Sequence, residues 1–539
     1  MDKERKDTVA MDTRRVGYWP LREDFKDASS NERHGKGESV LFQDGAAVFD
    51  GENSQVMLPD AEITTGTRPF TLSMEFKIDD KNGTLPGVLA SRYVPDRMEG
   101  WHLTPMTQTG GPSCISNWRH LQFGWSLPIT EDLIPKWQDR GAPGNSRMIC
   151  ALCTYQGSLY AGVFDDAKDN KGHVYRLDEN NEWIDCGNPD DSNSVWTLTE
   201  YKGKLYAGTM KYNAKGSSLP ESPNMSVPGG KIYRYEGGKT WSFFGEIPGS
   251  DSCAALVPYQ GKLVAMSFYT PGVVAFDEDG TMQDLGAPGP EKNIRGMNLG
   301  IYRGRLYIGC NWMEGVYSRT LDEDWVYEGT VDKCDQVYVF TVHHNSLLMG
   351  IWREARVVRY EGNRVWSDYG LMGSEMEVMG ISLYNGKLYG GTLPGGHVYR
   401  YGGETEWILS GVLEQPDPNI RYRRVWSMAV HNGELYAGTL PGGKVWSLNN
   451  GPIATYDYSL EDGWHKTAIV YDRQALSLYL DGKLVSKEPI DPSKISDLSQ
   501  ASLVIGNGPQ ARFSGSIREV ELFDAALSEE EIARLFKKR

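Results

Sequence analysis

The chain has 539 residues, 40% of them hydrophobic, which is enough apolar material for more than one packed core. It carries 56 Lys and Arg against 72 Asp and Glu, and the net charge of −16 argues against a nucleic-acid backbone as the main partner. It has no run of 18 apolar residues, so no membrane-spanning helix is predicted.

The amino-terminal sequence MDKERKDTVAMDTRR has no apolar segment of the kind a signal peptide needs. The compartment therefore stays open: secreted or periplasmic if a signal peptide has been removed, and cytoplasmic otherwise. Residues 15–127 then contain short apolar segments bounded by turn residues, among them VGYWPL, AAVFDGENSQVMLP and PFTLSMEFKI. These segments predict β-strands without an internal repeat.

Residues 128–451 contain a repeat whose consensus is Tyr-x-Gly-x-Leu-Tyr-x-Gly. It recurs as YQGSLYAG, YKGKLYAG, YQGKLVAM, YRGRLYIG, HHNSLLMG, YNGKLYGG and HNGELYAG. Successive turn residues are 41 to 58 residues apart, a period that fits one four-stranded blade of a β-propeller. The 61 glycines, 16 tryptophans and 29 tyrosines agree with an all-β chain that has many tight turns.

A second motif, Trp-x3-Gly, marks the fourth strand of each unit. It has seven copies, from Trp137–Gly141 to Trp407–Gly411, with Met282 in place of Trp in one of them. The first copy precedes the first Tyr-x-Gly turn, and no copy follows the last turn. The strand near Trp137 should therefore complete the blade that begins near Arg424, by pairing with 444–448. Such a closure gives seven blades and leaves no open edge.

Seven cysteines are spread along the chain without metal-like clustering. Cys150 and Cys153 form a CxxC within a predicted strand, where residues i and i+3 point to opposite faces. We expect them to be reduced core residues.

Residues 452–539 return to non-repeating strand patterns and end in a predicted short helix with Ser528 and Glu531 as a capping box. The two flanking regions together resemble a laminin-G / concanavalin A-like jelly roll. The segments that carry the resemblance are Phe49-Asp50-Gly51, Phe70-Thr71-Leu72-Ser73, Gly463-Trp464-His465, Tyr479-Leu480-Asp481-Gly482 and Gly515-Ser516-Ile517-Arg518. The resemblance implies that 15–127 and 452–539 form one β-sandwich into which the seven-bladed propeller is inserted. This combination resembles glycan-degrading proteins.

Aligning the repeats places the starts of the inner strands, and the loops between second and third strands, on one face around the propeller axis. This face gathers charged, aromatic and amide side chains. The candidate catalytic residues there are Glu377, Asp335, Asp251, Glu314 and Tyr338. The candidate substrate-binding residues are Arg295, Arg353, Arg424, Arg147, Trp312, Trp352, Trp426, Trp196, Tyr269 and Asn311.

This composition favours a carbohydrate-active protein, a glycoside hydrolase acting on an acidic or sulfated poly- or oligosaccharide. Arginine recognises carboxylate or sulfate groups, and indole and phenol rings suit the C–H faces of sugars. Glu377 and Asp335 would be the leading acid and base or nucleophile, with Asp251 and Glu314 behind them.

Three alternatives remain open. A polysaccharide lyase would use a base such as Tyr338 or His397 beside a neutralised uronate. A non-catalytic glycan-binding protein would use the same arginines and aromatic rings. A protein-interaction scaffold would instead present a broad apolar patch.

No nucleotide-binding motif or metal-ligand spacing is present, so we expect no cofactor, although a structural Ca²⁺ in the jelly roll is possible. The 21-residue segment after Gly208, TMKYNAKGSSLPESPNMSVPG, lies on the same face. It is predicted either to cover the site or to be disordered.

Overall fold

The computed structural model describes residues 13–81, 83–111, 114–128, 136–168 and 170–537. Strands dominate this part of the chain, and one α-helix is found in it, α1 (Glu529–Lys537). Short 3-10 turns lie at Ile63–Thr65, Pro95–Arg97, Ala214–Ser217 and Pro492–Lys494. No helix in the described ranges is both long and apolar enough to cross a membrane.

Nine strands precede the repeat. They are β1 (Arg15–Trp19), β2 (Lys36–Glu38), β3 (Leu41–Gln43), β4 (Ala46–Asp50), β5 (Gln55–Leu58), β6 (Phe70–Ile78), β7 (Ala90–Val94), β8 (Glu99–Gly111) and β9 (Cys114–Ser126).

The repeat region then forms 28 strands, β10 to β37. The first is β10 (Gln138–Asp139). Blade 1 consists of β11 (Met148–Tyr155), β12 (Ser158–Phe164), β13 (Val174–Leu177) and β14 (Trp183–Asp185). Blade 2 consists of β15 (Ser194–Tyr201), β16 (Lys204–Met210), β17 (Lys231–Gly237) and β18 (Thr240–Glu246). Blade 3 consists of β19 (Ala255–Tyr259), β20 (Lys262–Met266), β21 (Val273–Phe276) and β22 (Met282–Gly286).

The remaining blades follow the same order. Blade 4 consists of β23 (Gly296–Tyr302), β24 (Arg305–Cys310), β25 (Val316–Arg319) and β26 (Val326–Gly329). Blade 5 consists of β27 (Gln336–His343), β28 (Ser346–Trp352), β29 (Arg356–Gly362) and β30 (Val365–Leu371). Blade 6 consists of β31 (Glu377–Tyr384), β32 (Lys387–Leu393), β33 (His397–Gly403) and β34 (Glu406–Val412). Blade 7 consists of β35 (Arg424–His431), β36 (Glu434–Leu440), β37 (Val445–Leu448) and β10.

Blade 7 closes the ring as the sequence predicts. Its sheet has the order β10-β37-β36-β35, with Gln138 opposite Ser447 and Asp139 opposite Trp446. One strand from the start of the repeat region thus completes a blade whose other three strands come from its end. The prediction of seven blades with this closure is confirmed.

Both sequence motifs link neighbouring blades through hydrogen bonds. The Trp indole N–H donates to the backbone carbonyl just before the motif glycine of the preceding blade, in the pairs Trp183–Arg140, Trp241–Cys186, Trp325–Leu285, Trp366–Glu328 and Trp407–Tyr369. The Tyr hydroxyl donates to the turn carbonyl of the next blade, in the pairs Tyr155–Gly203, Tyr201–Gly261, Tyr259–Gly304, Tyr302–Asn345 and Tyr384–Gly433. The motif Trp and Tyr side chains thus donate hydrogen bonds between adjacent blades. This role explains why the two motifs recur with the blade period in the sequence.

The remaining strands are β38 (Ile453–Tyr456), β39 (Trp464–Tyr471), β40 (Ala475–Leu480), β41 (Lys483–Pro489), β42 (Leu503–Ile505) and β43 (Ser514–Phe523). They join the first nine strands in a two-sheet sandwich. One sheet has the order β3-β4-β43-β6-β39-β40-β41, and the other includes β2-β5-β42-β7-β8-β9.

The two flanking regions share one sandwich. Strand β6 pairs with β39 over its whole length, from Phe70 opposite Tyr471 to Lys77 opposite Trp464. Buried side chains from both regions, such as Phe76, Trp101 and Phe513, pack in one core between the sheets. This confirms that the propeller is inserted into a jelly roll.

The sandwich also enters the propeller. The hairpin of β8 and β9 extends along the axis from the face that carries the Tyr-x-Gly turns. The Asn117 side chain both donates to and accepts from the backbone of Val430. The Gln108 side chain donates to the Ser382 hydroxyl and accepts from the backbone N–H of Leu383. The described part of this hairpin thus fills the central channel from the face that carries the Tyr-x-Gly turns.

Candidate functional site

A repeated β-bulge shapes the end of the channel opposite the Tyr-x-Gly turns. The register of the inner strand shifts by one residue near its start in six blades. The residues at the shift are Cys150, Trp196, Met297, Tyr338, Met379 and Trp426. All of them belong to one buried apolar cluster, which also contains Ile115 from the hairpin. In these six blades the bulge therefore turns one side chain toward the axis, and five of the six are Met, Tyr or Trp.

Rings from non-adjacent blades meet there. The centroid of Trp426, on blade 7, lies 5.3 Å from that of Trp196 on blade 2 and 6.3 Å from that of Tyr338 on blade 5. Such contacts are possible only near the axis. Trp196 and Trp426 are 6% and 3% exposed, so they form a floor. Both were predicted as substrate-binding residues; in the structure the two rings pack on each other and are shielded from solvent.

Glu377 and Arg424 lie on this floor, as the first residues of β31 and β35. Both are buried, at 6% and 8% exposure. Burial raises the pKa of Glu377, and the charge of Arg424 and a contact with the Tyr338 hydroxyl partly offset that rise. The Arg424 guanidinium also lies 5.6 Å from the Trp426 ring centroid. We use the term axial mouth for the group Glu377, Arg424, Tyr338, Trp196, Trp426 and Tyr212.

Several polar atoms of this mouth, and one of the neighbouring Trp352, lack a partner. Glu377 Oε2, Arg424 Nε and the indole nitrogens of Trp426 and Trp352 are buried without a hydrogen bond in the described structure. Leaving such an atom unpaired costs about 1–3 kcal/mol. A concentration of these atoms at one place is typical of a site that a ligand completes.

The segment after Gly208 is folded over this face. Its Tyr212 packs against Trp196 with centroids 4.8 Å apart, and it is held by Asn193, which both donates to and accepts from the Tyr212 backbone. Asn224, further along, donates to the carbonyls of Asp165 and Asn170. Tyr212 also contributes to the electrostatic environment of Arg424.

The other predicted carboxylates are engaged elsewhere. Asp335 is buried and pairs with the exposed Arg353 at 2.7 Å, while Asp251 pairs with Lys211 at 2.5 Å. Glu314 lies exposed on the rim. The structure brings Glu377, Tyr338, Arg424 and Trp426 together, whereas Asp335 is held in a separate ion pair.

Blades 1, 3 and 4 supply the remaining predicted residues. Arg147 lies 3.6 Å from Asp166, Tyr269 is half-buried, and Arg295 is half-buried without an ion pair among the described residues. Asn311 is buried and accepts a hydrogen bond from the Gln336 side chain.

Trp312 is the most exposed aromatic residue of the set. Its side chain is 59% exposed, and both Trp312 and Met313 have positive φ angles, 59° and 66°. Large side chains rarely adopt this conformation, which costs about 1–3 kcal/mol and is typical of functional sites. Trp352 and Tyr269 are half-buried, so these three rings are more accessible to a ligand than Trp196 and Trp426.

One contributor was absent from the predicted site, Ile115, which reaches the floor from the hairpin. Tyr212 was not among the predicted site residues, but it lies in the loop segment that the sequence placed on this face. The segment TGGPSC between two long strand-like runs does indicate a hairpin, but nothing in it indicates where the tip docks. Among the described residues, no group of three or more His, Cys, Asp or Glu could hold a metal ion.

A cavity of about 620 Å³ lies on the opposite face, between the propeller and the sandwich. Its lining includes Trp118, Arg119 and the buried Glu200, whose pKa burial raises to about 7. Its lining includes none of the predicted catalytic or substrate-binding residues. The described cysteines are all buried and free, as predicted for the CxxC pair.

Comparisons with known proteins concern the fold. Residues 424–533 match the family model of the concanavalin A-like lectin/glucanases superfamily. Among solved structures, a streptogramin B lyase is 10% identical with a TM-score of 0.46, covering 59% of this chain and 99% of that one. A catalytically inactive variant of virginiamycin B lyase from Staphylococcus aureus, with quinupristin, is 11% identical with a TM-score of 0.47, at the same coverage. The search of curated proteins gave no match.

Proposed function

We propose that the protein binds an anionic glycan at the axial mouth and cleaves it there as a glycoside hydrolase. The observation that carries the proposal is the burial of both Glu377 and Arg424, with the Arg424 charge acting on the pKa of Glu377. A carboxyl group whose pKa is raised by burial keeps its proton to higher pH, as a general acid requires. The adjacent guanidinium suits a carboxylate or sulfate on the substrate.

In this mechanism Glu377 donates its proton to the glycosidic oxygen, so that the leaving sugar departs as an alcohol. The unpaired Oε2 is the acceptor or donor that the substrate would satisfy. Arg424 and Arg295 would hold the anionic substituent, while Trp312 and Trp352 would stack on sugar rings. Asp335 would act as base or nucleophile once Arg353, which is 63% exposed at its side chain, turns toward substrate.

The contacts of Tyr338 argue against the lyase alternative. A lyase base must lose its proton, yet burial and the Glu377 charge raise the pKa of Tyr338 well above its usual range. The Tyr338 hydroxyl also donates to Gln336. His397 is turned to Glu375, at 3.0 Å.

Non-catalytic glycan binding is the second candidate function, and one observation favours it. Asp335 and Asp251 are both neutralised by basic partners, so Glu377 has no free carboxylate beside it among the residues just described. A lectin would need only the arginines and the rings.

A panel of uronate- and sulfate-bearing polysaccharides tests both candidates, with new reducing ends and unsaturated sugars measured in parallel. A hydrolase yields reducing ends alone, and Glu377→Gln should lower turnover about 10²–10⁴-fold while preserving binding. Glu406→Gln is the matched control, since Glu406 is exposed on an outer strand. Binding without any turnover would favour the lectin, and unsaturated products would overturn the hydrolase.

A further inference from the structure

A second cavity, of about 450 Å³, lies on the face of the propeller opposite the axial mouth. It is formed where the turns of blades 4 and 5 meet the sandwich. Arg303 comes from the turn of blade 4, His344 and Ser346 from that of blade 5, and Asn507 and Arg512 from the segment between β42 and β43.

Its lining has an unusual charge balance. The chain as a whole has 72 acidic residues against 56 basic ones, yet the described residues that line this cavity include two arginines and no Asp or Glu. The other polar lining groups are serine, asparagine, histidine and tyrosine side chains. A pocket of this composition offers hydrogen-bond donors to a negative charge.

The two arginines lie within electrostatic range of each other. Burial lowers the pKa of Arg512, and the charge of Arg303 lowers it further, against the opposing effect of Glu38 and Asp50. The Arg303 side chain lies 5.1 Å from the Tyr302 ring centroid and forms no ion pair with a described residue. Two like charges held together in this way are stabilised when an anion lies between them.

His344 adds a buried nitrogen. Its Nε2 has no hydrogen-bond partner in the described structure, and its ring stacks on His343 with centroids 3.8 Å apart. Burial lowers the pKa of His344 to about 4, so the ring is neutral at pH 7 and can donate a single N–H. The unpaired nitrogen lies in a lining that holds both guanidinium groups.

We propose that this cavity binds a tetrahedral oxyanion, the sulfate or phosphate group of a ligand, between Arg303, Arg512 and His344. Such a group has four oxygens that accept hydrogen bonds from several directions, and the bidentate geometry of arginine matches it. The site is separate from the axial mouth and does not depend on the proposed hydrolase activity.

Calorimetric titration at constant ionic strength tests the proposal with four probes: sodium sulfate, inorganic phosphate, N-acetylglucosamine 6-sulfate and glucuronate. Wild-type protein should bind sulfate or phosphate saturably. Arg303→Gln and Arg512→Gln should each weaken that binding at least about tenfold. Arg364→Gln is the matched control and should leave it unchanged, because Arg364 is also an exposed turn arginine with positive φ near a tyrosine ring.

Thermal unfolding of each variant verifies that it is folded. If the Arg512→Gln variant does not fold, the Arg303→Gln variant still tests the proposal, because Arg303 is exposed. Tighter binding of the sulfated sugar than of sulfate would identify an ester as the ligand, and the reverse would identify the free ion. Absence of saturable binding, equal binding by wild type and Arg303→Gln, or equal affinity for glucuronate would overturn the proposal.

Discussion

The hydroxyl of Tyr93 in the sandwich donates a 2.7 Å hydrogen bond to the carbonyl of Gly386, at the turn of blade 6. At five other boundaries between blades, the corresponding turn carbonyl accepts a hydrogen bond from the hydroxyl of a tyrosine in the preceding blade. Blade 5 has His343 at that position, so the missing hydroxyl comes from the other domain. The sandwich therefore completes the inter-blade pattern as well as filling the channel.

Tyr93→Phe should destabilise the protein by about 1–3 kcal/mol, because it leaves the Gly386 carbonyl buried and unpaired. The measurement is the free energy of unfolding in urea. Tyr458→Phe is the control, since Tyr458 is 47% exposed and should change stability by less. Equal effects of the two changes would mean that the inter-domain hydrogen bond contributes nothing.

Ile115→Ala should cost about 2–5 kcal/mol of unfolding free energy. Ile115 is 2% exposed and lies in the apolar cluster at the axis, so its removal leaves a cavity in the floor of the mouth. Ile184→Ala serves for comparison, because Ile184 is 41% exposed on an outer strand. A stability loss below about 1 kcal/mol would argue that the hairpin tip does not dock in the channel.

The pH dependence of stability should contain a contribution from His102. Burial lowers its pKa from 6.5 to about 4, so the unfolded chain binds a proton that the folded protein does not. The stability it contributes is present above pH 6.5 and is lost as the pH falls toward 4, by about 1.4 kcal/mol per pH unit.

This contribution is isolated by comparing wild type with His102→Gln in denaturant titrations from about pH 7.5 to about pH 4. The difference in unfolding free energy between the two proteins should shrink as the pH falls. A constant difference would show that His102 titrates at its ordinary pKa in the folded state.

Arg424→Gln should move the alkaline limb of the kcat–pH profile of a hydrolase to higher pH. The Arg424 charge lowers the pKa of Glu377, so its removal raises that pKa and keeps the acid protonated longer. Arg364→Gln should leave the limb in place. A shift to lower pH would exclude Glu377 as the proton donor that controls this limb.

The sequence predicted the ring well because its two motifs act between adjacent blades. Trp407 and Tyr384, for example, bind the carbonyls of Tyr369 and Gly433, so their spacing reports the blade period directly. Repeat alignment likewise placed Glu377 and Arg424 near each other, since a closed ring brings the starts of inner strands to one axis.

The rest of the site could not be predicted in this way. Asn117 and Gln108 look like surface residues of a hairpin, and only their partners Val430 and Ser382 in the propeller explain their burial. Trp426 was predicted to bind substrate, but the bulge turns its ring against Trp196, where it is buried. Such contacts join residues some hundreds of positions apart, and no local pattern records them.

The most direct test of the central claim is a crystal structure of the Glu377→Gln variant with a bound sulfated or uronate-bearing oligosaccharide. The account predicts ordered sugar on the axial mouth, with its anionic group at Arg424 and a glycosidic oxygen within hydrogen-bond distance of residue 377. Sugar bound only on the sandwich, with the mouth unchanged, would contradict it.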